Sequence, residues 1–148
     1  MAIKIGVNGA GSIGFTRRLV QDILSIEELQ NTTFGFTDIN ERNLSMVAQR
    51  VERDIQDNGL PAKVVTSVER QPALEDADYV LNVSRIGGLE AFALDINIPL
   101  KYGVDQCVGD TLCIGGIMYG QRNIPAILAF CRDIRRFAKP DCLFLNYA

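Results

Sequence analysis

The segment Gly9-Ala10-Gly11-Ser12-Ile13-Gly14 sets three glycines at the spacing of a phosphate-binding turn. In such a turn Gly9 permits a sharp reversal, Gly11 lets a pyrophosphate come up to the backbone, and Gly14 lets the following helix pack close to its strand. The N–H groups from Ser12 and Ile13 onward then face the phosphates at a helix N-terminus, where the dipole favours negative charge. Asp38 is the second half of the pattern. A carboxylate at the end of the next strand accepts hydrogen bonds from ribose hydroxyls and repels a 2′-phosphate. Together they predict a bound dinucleotide, NAD in preference to NADP, with Arg42 near enough in sequence to soften the preference. The plainer alternative is a set of turn glycines followed by an acid that flanks a helix.

Two further stretches carry candidate groups. Asn82-Val83-Ser84-Arg85-Ile86-Gly87-Gly88 follows a strand at the carboxyl edge of the sheet, where ligands of such folds bind. Asn82 is assigned there to the cofactor, and Arg85 to an anionic or polyhydroxylated ligand, with a plain surface arginine as the competing reading. A glycine-rich loop is expected from Gly103 to Gly120, holding Asp105, Gln106, Asp110 and Thr111, with Arg122 just after it. Long irregular loops are usually functional or mobile, and spacing alone does not choose. Of four cysteines, Cys107 and Cys113 fall in this loop, while Cys131 and Cys142 fit core positions. No C-x-x-C pair and no histidine occur, so no dedicated zinc site is expected, and reduced thiols are preferred to a disulfide.

The elements that must position these groups alternate strand and helix. Ile3 to Asn8 reads as a buried strand, and a helix follows with Thr16, Leu19, Val20, Ile23 and Leu24 on one face. Thr33 to Thr37 is a second strand. Asn40 caps a helix whose stripe is Leu44, Val47, Ala48, Val51 and Ile55, ending at Asn58-Gly59. Further strands are expected over 63–68, 79–84 and 142–146, a short helical turn over 72–76, a helix opened by Gly87-Gly88 and closing before Pro99, and another over about 123–138. This order predicts an α/β, Rossmann-type doubly wound parallel sheet in three αβα layers, as one domain over 1–148.

With 148 residues, 47% apolar, the chain has room for one such core. Its net charge is −3 and its 15 Lys and Arg are scattered, which argues against nucleic acid as a partner. No stretch approaches membrane-spanning length and the N-terminus is no cleavable signal, so a cytoplasmic protein is expected.

Taken together the segments resemble glycoside hydrolase family 4, the NAD-dependent glycosidases that include α-galactosidases and α-glucosidases. The likeness rests on residues 9–17, Thr37-Asp38-Ile39 and Gly87-Gly88-Leu89-Glu90-Ala91. It rests further on Ile98-Pro99-Leu100-Lys101-Tyr102-Gly103, Gly109-Asp110-Thr111, Gly115-Gly116-Ile117, Arg122-Asn123-Ile124-Pro125 and Leu145-Asn146-Tyr147. The resemblance implies a redox route to hydrolysis, outside the usual two-carboxylate scheme. NAD takes hydride from C3 of the sugar, the C2 proton becomes acidic, the aglycone leaves by elimination, water adds, and the hydride returns. A divalent metal, usually manganese, polarises the sugar oxygens.

By the same resemblance Asp110 contacts a sugar hydroxyl, Asn146 lies between cofactor and substrate, and Arg85 and Glu90 border the cleft. The substrate is then a small-molecule α-glycoside. Cys113-Ile114-Gly115-Gly116 departs from the family's Gly-Pro-Gly-Gly. The family's metal-binding cysteine and histidine and its catalytic tyrosine fall beyond Ala148. The chain is therefore expected to bind NAD without cleaving glycosides by itself, to hold no metal ligand, and to self-associate. Two other readings stay open: the domain of a hydroxyacid dehydrogenase-like oxidoreductase, and a stand-alone NAD-sensing module.

Overall fold

The computed structural model describes residues 3–106 and 111–147. Five strands, β1 (Lys4–Asn8), β2 (Thr33–Thr37), β3 (Lys63–Ser67), β4 (Tyr79–Asn82) and β5 (Leu143–Asn146), form a wholly parallel sheet in the order β3-β2-β1-β4-β5. Between them run α1 (Ile13–Leu24), α2 (Glu41–Asp57), α3 (Arg70–Leu74), α4 (Gly88–Leu100) and α5 (Cys113–Phe137). The chain winds outward from β1 to β3, then returns past β1 to β4 and β5. This is the doubly wound Rossmann-type α/β arrangement, with its reversal of strand order between β1 and β4.

The chain divides into two compact units, Met1–Ser84 with Asp133–Ala148, and Arg85–Arg132. In the first unit the sheet is covered on both faces. Ile5, Val7, Phe34 and Phe36 meet Val20 and Leu24 of α1 and Val47 and Val51 of α2. On the opposite face Val80 packs with Leu74, Ala77 and Ile134, and Phe144 lies against them. Strands buried on two faces read as apolar runs, which is why β1 and β2 are so plain in the sequence. Gly35 admits α3, because a side chain there would run into the Ala73 backbone.

Polar ties fix the elements around this core. Asn40 Oδ1 accepts from the Asn43 N–H at 3.0 Å, capping α2 as expected. Arg17 of α1 grips Asp54 of α2 through Nε at 2.6 Å and Nη2 at 3.1 Å. At the amino edge of the sheet Asp78 accepts from the Lys4 N–H at 2.8 Å and from Lys139 Nζ at 2.6 Å.

The second unit holds two departures from expectation. The helix expected to close before Pro99 continues through it to Leu100. Proline lacks the N–H that would reach the Asp95 carbonyl one turn back. Gln106 Nε2 donates to that carbonyl at 2.9 Å in place of the missing N–H. The helix expected from about Asn123 begins at Cys113, so Gly115, Gly116 and Gly120, read as loop, are helical. Gly116 is there for close approach, since a Cβ would lie 2.8 Å from the Thr111 carbonyl. Gln106 Oε1 also accepts from the Gly115 N–H at 2.9 Å, joining the broken turn of α4 to the first turn of α5. Cys113, Cys131 and Cys142 are free thiols; Cys131 and Cys142, expected in the core, are half-buried. Cys107 lies outside the described residues.

Candidate functional site

The glycine turn joins the carboxyl end of β1 to α1. Gly9 has φ of 82°, and its N–H donates to the Thr37 carbonyl at 2.9 Å. A Cβ on Gly9 would stand 2.6 Å from Ser84 Cα, so the turn presses against the segment leaving β4. The Gly11 N–H donates to Asp38 Oδ2 at 2.9 Å, and the Asn40 N–H donates to Oδ1 at 2.8 Å. The acid expected to bind a ribose thus also fastens the glycine turn to the end of β2. Each carboxylate oxygen keeps a lone pair for a hydroxyl donor.

Ser12 is the N-cap of α1 and makes no side-chain cap. The first-turn N–H groups, from Ile13 on, have no helical acceptor and form a cradle for an anion. Gly14 does not play the part expected of it. It is exposed, and a Cβ there would meet no atom within 4 Å. The buried stripe of α1 is Thr16, Val20 and Leu24, and a residue two positions before Thr16 points away from the sheet.

Across the switch point, Asn82 is fully buried. Its Nδ2 donates to Asn146 Oδ1 at 2.7 Å, and its Oδ1 accepts from Ser84 Oγ at 2.7 Å. The Tyr147 N–H donates to the Asn82 carbonyl at 2.9 Å, and the Tyr147 ring lies 5.1 Å from that of Phe15. Asn82 therefore holds Asn146 and the residues after β5 in place. Asn8, which sequence reasoning passed over, stands beside Asn82 in the β1–β4 register. An apolar run that ends on asparagine in three paired strands was the available signal.

In the second unit the Arg85 guanidinium lies 4.9 Å from the Phe92 ring centroid and 5.5 Å from that of Tyr119. Glu90 is exposed in the first turn of α4. Arg122 donates from Nη1 and Nη2 to the two oxygens of Asp95, whose side chain is fully buried. Those bonds hold the arginine above its ordinary pKa. The structure places Gly9, Gly11, Ser12, Ile13 and Gly14 in and just after one turn, ties Asp38 to that turn from the end of β2, and puts Asn82 on Asn146. Arg85 and Glu90 belong to the other unit, and Asp110 lies outside the described residues.

The family model described as "Family 4 glycosyl hydrolase" matches residues 4–148. The chain belongs to glycosyl hydrolase family 4. It is 56% identical over 147 residues to an alpha-galactosidase of Rhizobium meliloti (strain 1021), covering 99% of this chain and 30% of that protein. With an alpha-galactosidase of Bacillus subtilis (strain 168) it shares 34% over 146 residues, covering 97% of this chain and 33% of the relative. The 6-phospho-beta glucosidase of Thermotoga maritima, solved with manganese, NAD+ and glucose-6-phosphate, superposes with a TM-score of 0.84 at 31% identity. That match covers 99% of this chain and 34% of the other.

The chain thus spans about a third of the length of the family 4 relatives it matches. Among the described residues no three His, Cys, Asp or Glu are grouped to hold a metal ion, and the sequence has no histidine. The described residues by themselves supply no ligand set for the divalent metal implied by the family resemblance. No helix among the described residues is long and apolar enough to cross a membrane.

Proposed function

We propose that this chain holds NAD on the carboxyl edge of its sheet, as the cofactor-binding part of a glycosidase acting on α-glycosides of the galactoside and glucoside type. The observation that carries the reading is the Asp38–Gly11 clasp, which sets a carboxylate beside an uncapped helix N-terminus at the sheet's switch point. In this reading the N–H groups of Ile13 and Gly14 receive the pyrophosphate beside the N-cap Ser12, whose own N–H donates to the Gly9 carbonyl at 3.4 Å. The exposed Gly14 leaves the approach open. Asp38 accepts the adenosine ribose hydroxyls and disfavours a 2′-phosphate, while Ile39, which is wholly exposed, offers the adenine an apolar flank. When bound, NAD supplies the hydride acceptor for a sugar carbon and gives the hydride back. Asn146, held by Asn82, orients the nicotinamide end against the sugar. Asp110, Arg85 and Glu90 are assigned to the sugar side.

Support comes from the sequence likeness to alpha-galactosidases and from the NAD-bound structural relative. The uninterrupted family match from residue 4 to 148 favours a single cofactor domain. A cytoplasmic setting is in keeping with the free thiols of Cys113, Cys131 and Cys142 among the described residues. Self-association is favoured by Leu143, Leu145 and Tyr147, exposed on and after the edge strand β5.

Calorimetric titration with NAD tests the reading. Asp38→Ala is expected to weaken binding by roughly ten- to a hundredfold, the worth of hydrogen bonds to a charged group. An unchanged affinity would remove Asp38 from the site.

A further inference from the structure

Three strands end on asparagine at one level of the sheet. Asn8 pairs with Asn82 across β1 and β4, and Asn82 with Asn146 across β4 and β5. Alternation along each strand puts all three on the face that carries Val80 and Phe144. Asn82 and Asn146 are joined by their side chains, and Asn82 is completed by Ser84. Asn8 is different. Only 1% of its surface is exposed, and neither Oδ1 nor Nδ2 has a hydrogen-bond partner among the described residues.

A carboxamide brings two donors and an acceptor oxygen with two lone pairs, and buried groups of this kind are almost always matched. The backbone of Asn8 is matched, since its carbonyl accepts from the Val83 N–H at 2.9 Å. The strand needs no amide here, because an apolar residue of similar volume would fill the position without leaving polar atoms unmet. Thr16 is also buried with an unmatched hydroxyl, but it belongs to α1, which packs on the opposite face with Val20 and Leu24.

The place of Asn8 says what it could meet. It is the last residue of β1, directly before Gly9, at the point where strand order reverses. Asp38, at the end of β2, lies to one side in strand order, and Asn82 and Asn146 lie to the other, on the same face as Asn8. A dinucleotide laid along this edge with its adenosine at Asp38 passes Asn8 between its pyrophosphate and its nicotinamide. We propose that Asn8 is a further cofactor-binding residue, whose carboxamide is completed, directly or through one water, by the ribose on the nicotinamide side. This rests on the NAD reading above.

The test compares the chain with Asn8→Leu in two measurements: thermal melting without ligand, and calorimetric titration with ADP, ADP-ribose and NAD. ADP lacks the second ribose and ADP-ribose has it. Asn8→Leu is expected to melt no lower than the unaltered chain and to bind ADP equally well. It is expected to lose roughly tenfold in affinity for both ADP-ribose and NAD, one hydrogen bond's worth. Asn8→Ser, which keeps a donor and an acceptor, is expected to recover part of that loss, and Asn8→Val replaces the leucine variant if the latter does not fold. Unchanged affinity for ADP-ribose and NAD overturns the assignment, and so does an equal loss for ADP, which would mark a general distortion of the turn. If the unaltered chain binds none of the three ligands, the NAD reading fails first and this inference falls with it.

Discussion

A methyl group at Gly9 would fall 2.6 Å from Ser84 Cα on a backbone whose φ is 82°, so Gly9→Ala combines a clash with a dihedral that L-residues resist. Its expected cost is about 1–3 kcal/mol of stability, read from the urea midpoint, with loss of NAD binding. Gly14→Ala is the contrasting case. Its side chain would enter open space near the start of a helix, and alanine there should leave stability equal or raise it by up to about 1 kcal/mol. NAD affinity should nevertheless fall, because the methyl group narrows the approach to the phosphate cradle. Destabilisation of the chain by Gly14→Ala as large as that by Gly9→Ala would show that Gly14 packs against the sheet after all. The G-x-G-x-x-G spacing is equally visible at both positions. Only the neighbours of each Cα separate turn strain from ligand access.

At the scale of elements, Gln106 joins α4 to α5 by answering two needs at once. Pro99 leaves the Asp95 carbonyl without a helical donor, and the first turn of α5 leaves the Gly115 N–H without an acceptor. Gln106→Leu removes both bonds and should lower stability by about 1–3 kcal/mol, measured by denaturant unfolding. Gln106→Glu should recover little, since its carboxylate accepts from Gly115 but cannot donate to Asp95. The sequence showed a proline and a glycine-rich stretch, which are ordinary signs of a loop. The helical outcome depends on a side chain outside both helices, and no local pattern announces such a partner. By contrast α2 was legible at both ends, because Asn40 and Asn58-Gly59 act on their own neighbours.

For the molecule as a whole, two carboxylates among the described residues tie stability to acid pH. Asp54 is held below the usual 3.8 chiefly by the Arg17 hydrogen bond, and Asp78 chiefly by that from Lys139, with the Lys4 N–H adding to it. Both groups lower their pKa on folding, so they bind fewer protons in the folded state than in the unfolded chain. Their stabilisation is complete above 3.8 and is lost as pH falls through the lower folded values. The urea midpoint should therefore be flat near neutrality and decline below about pH 4. Asp78→Asn, which weakens the tie between the N-terminus of β1 and Lys139, should lower the neutral midpoint and flatten that decline. A decline unchanged in Asp78→Asn would assign the acid sensitivity elsewhere.

Sequence by itself determined the alternation of strands and helices, the parallel doubly wound sheet, the glycine turn with Asp38, and the family 4 resemblance. Each of these is written in local spacing: apolar runs, a helical stripe, a cap, a motif of adjacent residues. Tertiary structure decided what depends on pairing between distant segments. It tied Asp38 to Gly11, released Gly14 from packing, used Asn82 to hold Asn146, carried α4 through Pro99, and set Asn8 unmatched in the same row. The physical reason is that strand register and hydrogen-bond partnership are relations across space, and a residue's type and neighbours in the chain do not specify them.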